Sequence, residues 1–232
     1  MNTLALCPVK LHEKKLSGLH GVFVVFFMLI SSCSFAQQDH SGDYFQQNRT
    51  DEFSRKLVEA AIARTLVLVT YDGSYRKIGY PGGDVPDNIG VCTDVVIRAY
   101  RKLGIDLQRD VHLDMKANFS LYPPKWGLKR PDTNIDHRRV PNLQTFFSRK
   151  GKKLPVSDNP AEYKPGDLVT WNLPGNLPHI GIVTDKKSED GSRPLIVHNI
   201  GGGPVLEDML FSYKITGRYR YYGNFPMEKK ND

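Results

Sequence analysis

The chain has 232 residues, with 32 Lys and Arg against 25 Asp and Glu and a formal net charge of +7. The basic residues are scattered, with one small cluster at Asp136-His137-Arg138-Arg139 and no long Lys/Arg tract, so no nucleic-acid partner is expected. A mild positive balance suits an anionic cell-wall polymer and is also ordinary for an exported protein.

The first 20 residues carry Lys10, Lys14 and Lys15 against Glu13, and an apolar run from Gly21 to Ile30 follows. That run is shorter than the roughly 20 apolar residues of a membrane-spanning helix. A basic region, a short apolar core and small residues after it describe a secretory signal over residues 1–36. Ser34-Phe35-Ala36 sets small residues at the two positions a signal peptidase reads, for cleavage before Gln37. Ile30-Ser31-Ser32-Cys33 also resembles a bacterial lipobox, which would lipidate Cys33 and tie the protein to a membrane. Soluble export is favoured because polar sequence follows Ala36 at once. The destination expected is periplasmic or extracellular. Removing the leader leaves roughly 200 residues, enough for one domain with a real core.

Residues 37–50 are polar and read as a flexible lead-in, residues 51–225 as one domain, and residues 226–232 as a tail. Phe53, Leu57, Val58, Ala61 and Ile62 predict a helix from Asp51 to about Leu68, capped by Thr50 or Asp51. Tyr71 to Pro86 is rich in Gly, Pro and Tyr and reads as loop with short extended pieces. Val95, Val96, Ala99, Tyr100 and Leu103 predict a second helix starting near Cys92 and stopped by Gly104. A further helix is expected over Leu107 to Phe119, an ordered loop over Leu121 to Val140, and a short helix over Pro141 to Lys150. Strands are expected at Leu168–Trp171, His179–Thr184, Leu195–His198 and Tyr213–Tyr221. Helices first and an antiparallel sheet after them define an α+β domain.

Of the three cysteines, Cys7 and Cys33 fall in the leader. Cys92 is then a lone thiol in an exported chain: an intermolecular bridge, an inert buried residue or a nucleophile. Its place at a helix start, after Gly90-Val91, predicts a thiol pKa below the ordinary value of about 8.5. His179, in Pro178-His179-Ile180-Gly181, is the candidate base, and would protonate the leaving amine. The base must be held in one tautomer by a third group, His198 or Asn199. These point to opposite faces of a regular strand, so only one can serve. Each of the three, taken alone, also reads as an ordinary buried residue; their order and placement together favour a cysteine hydrolase. His112 reads as a surface residue. Around His137, Arg138 and Arg139 the alternatives are a salt-bridged loop, with Asp132 or Asp136, and a cationic rim binding a substrate carboxylate. No metal or other cofactor is implied, since the histidines lack zinc-type spacing.

Tyr80-Pro81-Gly82-Gly83, Cys92-Thr93-Asp94 opening a helix, Lys164 to Trp171, Pro178 to Val183 and Val197-His198-Asn199 follow the order of the NlpC-type papain-like cysteine peptidases. More narrowly, the chain closely resembles a bacterial family catalogued as Domain of Unknown Function 1287, through Gly90 to Asp94, Ile135 to Leu143 and Val197 to Gly201. The resemblance covers roughly Phe53 to Tyr222. It implies a papain-like fold, with Cys92 as nucleophile, His179 as base and His198 as the orienting residue. It also implies that the Tyr80 hydroxyl lies near the thiol. Tyr80, Asp94, His137, Arg138 and Arg139 are the candidate substrate-binding residues. Two departures stand out: Val91-Cys92-Thr93 replaces the usual Asp-Cys-Ser, and the stretch from Leu107 to Leu143 has no clear counterpart. The activity implied is hydrolysis of an amide in peptidoglycan peptides through an acyl-enzyme. An amidase or acyltransferase on another envelope substrate, and a non-catalytic wall-binding module, are the alternatives.

Overall fold

The computed structural model describes residues 40–224, and the side chains of residues 46–224. The expected leader, its Cys33 and the tail lie outside these residues. Helix α1 runs from His40 to Arg64, so it opens inside the stretch whose composition reads as a flexible lead-in. Neither Thr50 nor Asp51 caps it. The Thr50 hydroxyl donates back to the Gln47 carbonyl at 2.8 Å, and Asp51 accepts from Gln47 at 2.8 Å. Polar pairs one turn apart, including Glu52–Lys56 at 2.8 Å and Arg55–Glu59 at 2.7 Å, carry a helix that propensity alone would leave undecided. The helix stops at Arg64, short of the predicted end, and leaves Leu68 94 % exposed.

Strands β1 (Thr70–Tyr71) and β2 (Ile89–Gly90) form a short parallel bridge with Tyr71 opposite Gly90. Helix α2 (Cys92–Lys102) follows at once, with Leu103 as its C-cap and Gly104 at φ +77° beyond it, a conformation that favours glycine. Helix α3 (Leu107–Ala117) is capped by the Asp106 carboxylate, which accepts from Gln108 and Arg109. The expected ordered loop contains a 3-10 turn over Asp136–Arg138 and leads into α4 (Val140–Lys150). Gln108 helps fix the loops. Its amide donates to the carbonyls of Gly79 (2.8 Å) and Thr133 (3.0 Å) and accepts from the Gly83 N–H (2.9 Å).

The rest is strand: β3 (Lys152–Leu154), β4 (Leu168–Leu173), β5 (Leu177–Lys187), β6 (Pro194–His198), β7 (Val205–Glu207) and β8 (Lys214–Arg220). They form one antiparallel sheet in the order β3-β8-β4-β5-β6-β7. The molecule is thus a mixed α+β domain with helices first and a C-terminal antiparallel sheet. The sequence pattern misses β3 and β7, each only three residues long and too short to show alternation.

Alternation along the strands separates two cores. Leu168, Ile180, Ile182, Val197 and Tyr219 pack with Leu57, Val96, Tyr100, Leu143 and Phe147 of the helices. Val169, Trp171, Val183 and Ile196 pack on the other side with Tyr163, Met209 and Leu210. Trp171 is fully buried and its indole N–H donates to the Leu210 carbonyl at 2.9 Å, so this large side chain leaves no polar atom unmet.

His137 is buried in the 3-10 turn. Burial first, and the Arg138 charge second, lower its imidazole to about 4. Because the folded value lies below the ordinary 6.5, this ring's contribution to stability is complete above pH 6.5 and is lost as pH falls through about 4. The expected loss is on the order of 3 kcal/mol. Urea melts between pH 6.5 and 4 should show a shallower fall in His137→Gln than in the wild type; equal slopes would place the acid sensitivity elsewhere.

Candidate functional site

Cys92 is the first residue of α2, only 4 % exposed, and lines a cleft of about 400 Å³. The walls are Tyr71 and Gly73, Lys125 and Trp126, Ile135 with the Arg138 to Pro141 stretch, Asn176 of the β4–β5 turn and Pro178 near the start of β5. The sulfur lies close to the backbone of β5, where the N–H groups of Ile180, and of Thr93 and Cys92 at the helix start, favour its thiolate form. Ile180 is the residue after His179, so the thiol sits by the strand that carries the candidate base; the His179 ring itself is on the Trp171 side of the sheet and does not line the cleft.

The helix start predicts a lowered thiol pKa, and the structure reverses that expectation. Burial pushes the Cys92 thiol up to about 12; the N–H groups favour the thiolate but do not offset desolvation, and the Asp94 carboxylate adds to the rise. Asp94 also answers the amide charge of the helix start directly, since it accepts from the Val91 N–H at 2.6 Å.

His179 and His198 meet across β5 and β6. Ile182 pairs with Val197, so continuing that register sets His198 opposite Gly181. A Cβ on Gly181 would come within 2.9 Å of the Val197 carbonyl oxygen and 3.1 Å of the His198 Cβ, a closeness only glycine allows. The rings lie at right angles, with His179 Nε2 2.9 Å from His198 Nδ1. His198 Nε2 is in turn 2.7 Å from Glu207 Oε1 on β7. The three residues run diagonally across one face of three neighbouring strands.

This chain of contacts sets the tautomers. A carboxylate only accepts, so His198 carries its proton on Nε2 and presents the Nδ1 lone pair. His179 therefore donates from Nε2, and its own lone pair is on Nδ1, the ring nitrogen nearest the strand backbone. His179 is held neutral: burial, then the neighbouring His198, lowers it to about 3. Burial also lowers His198, against a raising pull from Glu207. Asn199, the other candidate for orienting the base, is buried and spends its Oδ1 on the Gly201 N–H at 3.1 Å.

Two members of this constellation escape sequence reading. Glu207 belongs to a three-residue strand; the signal that could have found it is the Gly201-Gly202-Gly203 turn after His198, which returns the chain as a hairpin. The other is Tyr71. Its hydroxyl lies near the Cys92 thiol, and burial first, then the thiol and Asp94, raise its pKa to about 12. Tyr80, expected near the thiol, is 42 % exposed, with its ring 5.0 Å from that of His112. The β1–β2 bridge decides between the two tyrosines by placing Tyr71 alongside Gly90.

The remaining predicted residues divide by burial. His137 is interior and does not line the cleft. Asp94 and Arg138 face each other in a buried two-pronged pair, Nε–Oδ1 2.9 Å and Nη2–Oδ2 2.9 Å. Arg138 therefore pairs with Asp94 rather than with Asp132 or Asp136. Arg139 pairs with Asp136 at 3.0 Å, stacks on Trp126, and lines the cleft. Among the described residues, no cluster of three or more His, Cys, Asp or Glu side chains is placed to hold a metal ion.

Residues 58–221 match the family model described as Domain of unknown function (DUF1287). The chain belongs to that family. It is similar to "Uncharacterized protein YijF" of Escherichia coli (strain K12), at 57 % identity over 152 residues, 66 % of this chain and 74 % of that protein.

Two measurements check the site. Iodoacetamide labelling of native Cys92 should show a midpoint above the free-thiol value of about 8.5; a midpoint at or below it would mean that burial does not govern the thiol. Nitrogen-15 NMR of the imidazoles should find both His179 and His198 protonated at Nε2, and Glu207→Ala should mix those tautomers. Unchanged tautomers in that variant would deny Glu207 its orienting part.

Proposed function

We propose that this protein is an exported cysteine hydrolase with a papain-like fold of the NlpC type, cutting amide bonds in peptidoglycan peptides through an acyl-enzyme. One observation carries the reading. A thiol at the first residue of a helix opens onto a cleft and rests on the strand backbone beside His179, whose tautomer is set through His198 and Glu207. The order Cys, His, His along the chain and the placement of helix and sheet support the same class.

The raised thiol and lowered imidazole bear on mechanism. Cys92 and His179 are each neutral at rest, not thiolate and imidazolium, and the reaction requires the His179 ring to reach the thiol. The base then takes the thiol proton as sulfur bonds to the carbonyl carbon, and the imidazolium formed gives that proton to the leaving amine. Water next attacks the thioester with His179 again as base, which releases the acid and restores the thiol. Through His198, the Glu207 carboxylate stabilises the positive charge that develops on His179. Tyr71 stays protonated at neutral pH and holds an O–H near the reacting sulfur.

The buried, raised thiol also favours a second reading, a non-catalytic wall-binding module of the same fold. Digestion of purified sacculi, with the released fragments read by mass spectrometry, separates the two. The wild type should release peptide fragments. Cys92→Ala and His179→Ala should each lose at least about a thousandfold in rate, and the double variant little more, because such residues act as a unit. Sacculi left intact by the wild type, or losses that multiply in the double variant, would remove the shared mechanism.

A further inference from the structure

The cleft around Cys92 is lined by three cationic side chains, Lys125, Arg138 and Arg139, and by no carboxylate. Arg139 is held over the Trp126 indole, its guanidinium carbon 4.0 Å from the ring centre, with Nη1 on Asp136. Arg138 gives Nε and Nη2 to Asp94. That side-on grip leaves Nη1 at the opposite end of the guanidinium, buried and without a hydrogen-bond partner among the described residues. Lys125 makes no ion pair among the described residues. Asp94 and Asp136 balance the two guanidinium groups from behind, so the surplus is one positive charge on Lys125 together with N–H donors on rigid, planar groups. A buried donor left unmet is costly, and an acceptor brought by a ligand would relieve it.

We propose that this wall is a carboxylate-binding subsite: the substrate carries a carboxylate close to the carbonyl that Cys92 attacks. The free Nη1–H of Arg138, the exposed edge of Arg139 and the Lys125 ammonium take it. A planar, singly charged carboxylate matches both the guanidinium geometry and the single surplus charge. The word substrate rests on the hydrolase reading; the subsite itself rests on the cleft alone.

A pair of alkylating reagents tests the subsite without needing turnover. Iodoacetate carries a carboxylate beside its reactive carbon, and iodoacetamide is its neutral twin. Both are applied to the full chain, adducts on Cys92 are counted by peptide mass spectrometry, and glutathione serves as the free-thiol reference. The ratio of the iodoacetate rate to the iodoacetamide rate should be about tenfold higher at Cys92 than at glutathione, the size expected of one charge-assisted contact. Iodoacetate labelling should saturate with concentration. Arg139→Gln should bring the ratio down to that of glutathione, and Lys125→Gln, an exposed change that leaves packing intact, should lower it part of the way. Arg138 is left unaltered because it holds the fold. A wild-type ratio equal to that of glutathione, a ratio unmoved in both variants, or a Cys92 that neither reagent reaches would overturn the proposal. A strong preference in a chain that releases nothing from sacculi would keep the subsite and defeat the hydrolase. Fragment release without the preference would do the reverse.

Discussion

The Asp94–Arg138 pair is the contact on which the site depends. It is almost wholly buried and joins three separate pieces of chain. Asp94 ties the start of α2 through the Val91 N–H, and Arg138 brings in the segment before α4 and reaches the Asp72 carbonyl after β1. Thr93 adds a bond from its hydroxyl to the Arg138 carbonyl at 3.1 Å. These segments carry Cys92, Arg139 and Tyr71 respectively, so one ion pair sets the width of the cleft. Removing one partner of such a pair costs about 3–5 kcal/mol, because it strands the other charge in the interior.

The same burial that makes this frame rigid governs the chemistry above it. A thiol on an open helix start would ionise readily. Here the surrounding apolar packing and the fixed negative charge of Asp94 keep it protonated. The neutral His179 fits that state, since a buried imidazolium beside a second imidazole would be doubly disfavoured. Charge is kept at the ends instead, on Glu207 at the half-exposed end of the imidazole chain and on Lys125 and Arg139 along the cleft. Any reaction at Cys92 therefore has to create its charges in transit.

The site and the sheet are also one construction. Gly181 lets β6 approach β5 closely enough for two imidazoles to meet, and β7 adds the carboxylate one strand further out. Because the three side chains lie on one face, a one-residue slip in register would turn each histidine away from its partner. Packing of Trp171 and Ile196 on that face makes such a slip unfavourable.

Much was legible in the sequence because it is local. The apolar spacing from Val95 to Leu103 and the Gly104 stop fix α2 and put Cys92 at its start. Alternation and Gly/Pro punctuation mark the four longer strands, and the helices-then-sheet order gives the α+β class. His179 and His198 on successive strands made them candidates for contact. What the tertiary structure decided is long-range. A two-residue parallel bridge chose Tyr71 over Tyr80, and a three-residue strand supplied Glu207. A partner 44 residues away made Arg138 part of the frame as well as of the cleft wall. The thiol pKa is the clearest case. Helix position, which sequence can show, predicts a fall; desolvation, which depends on everything packed around the sulfur, is larger and makes it a rise.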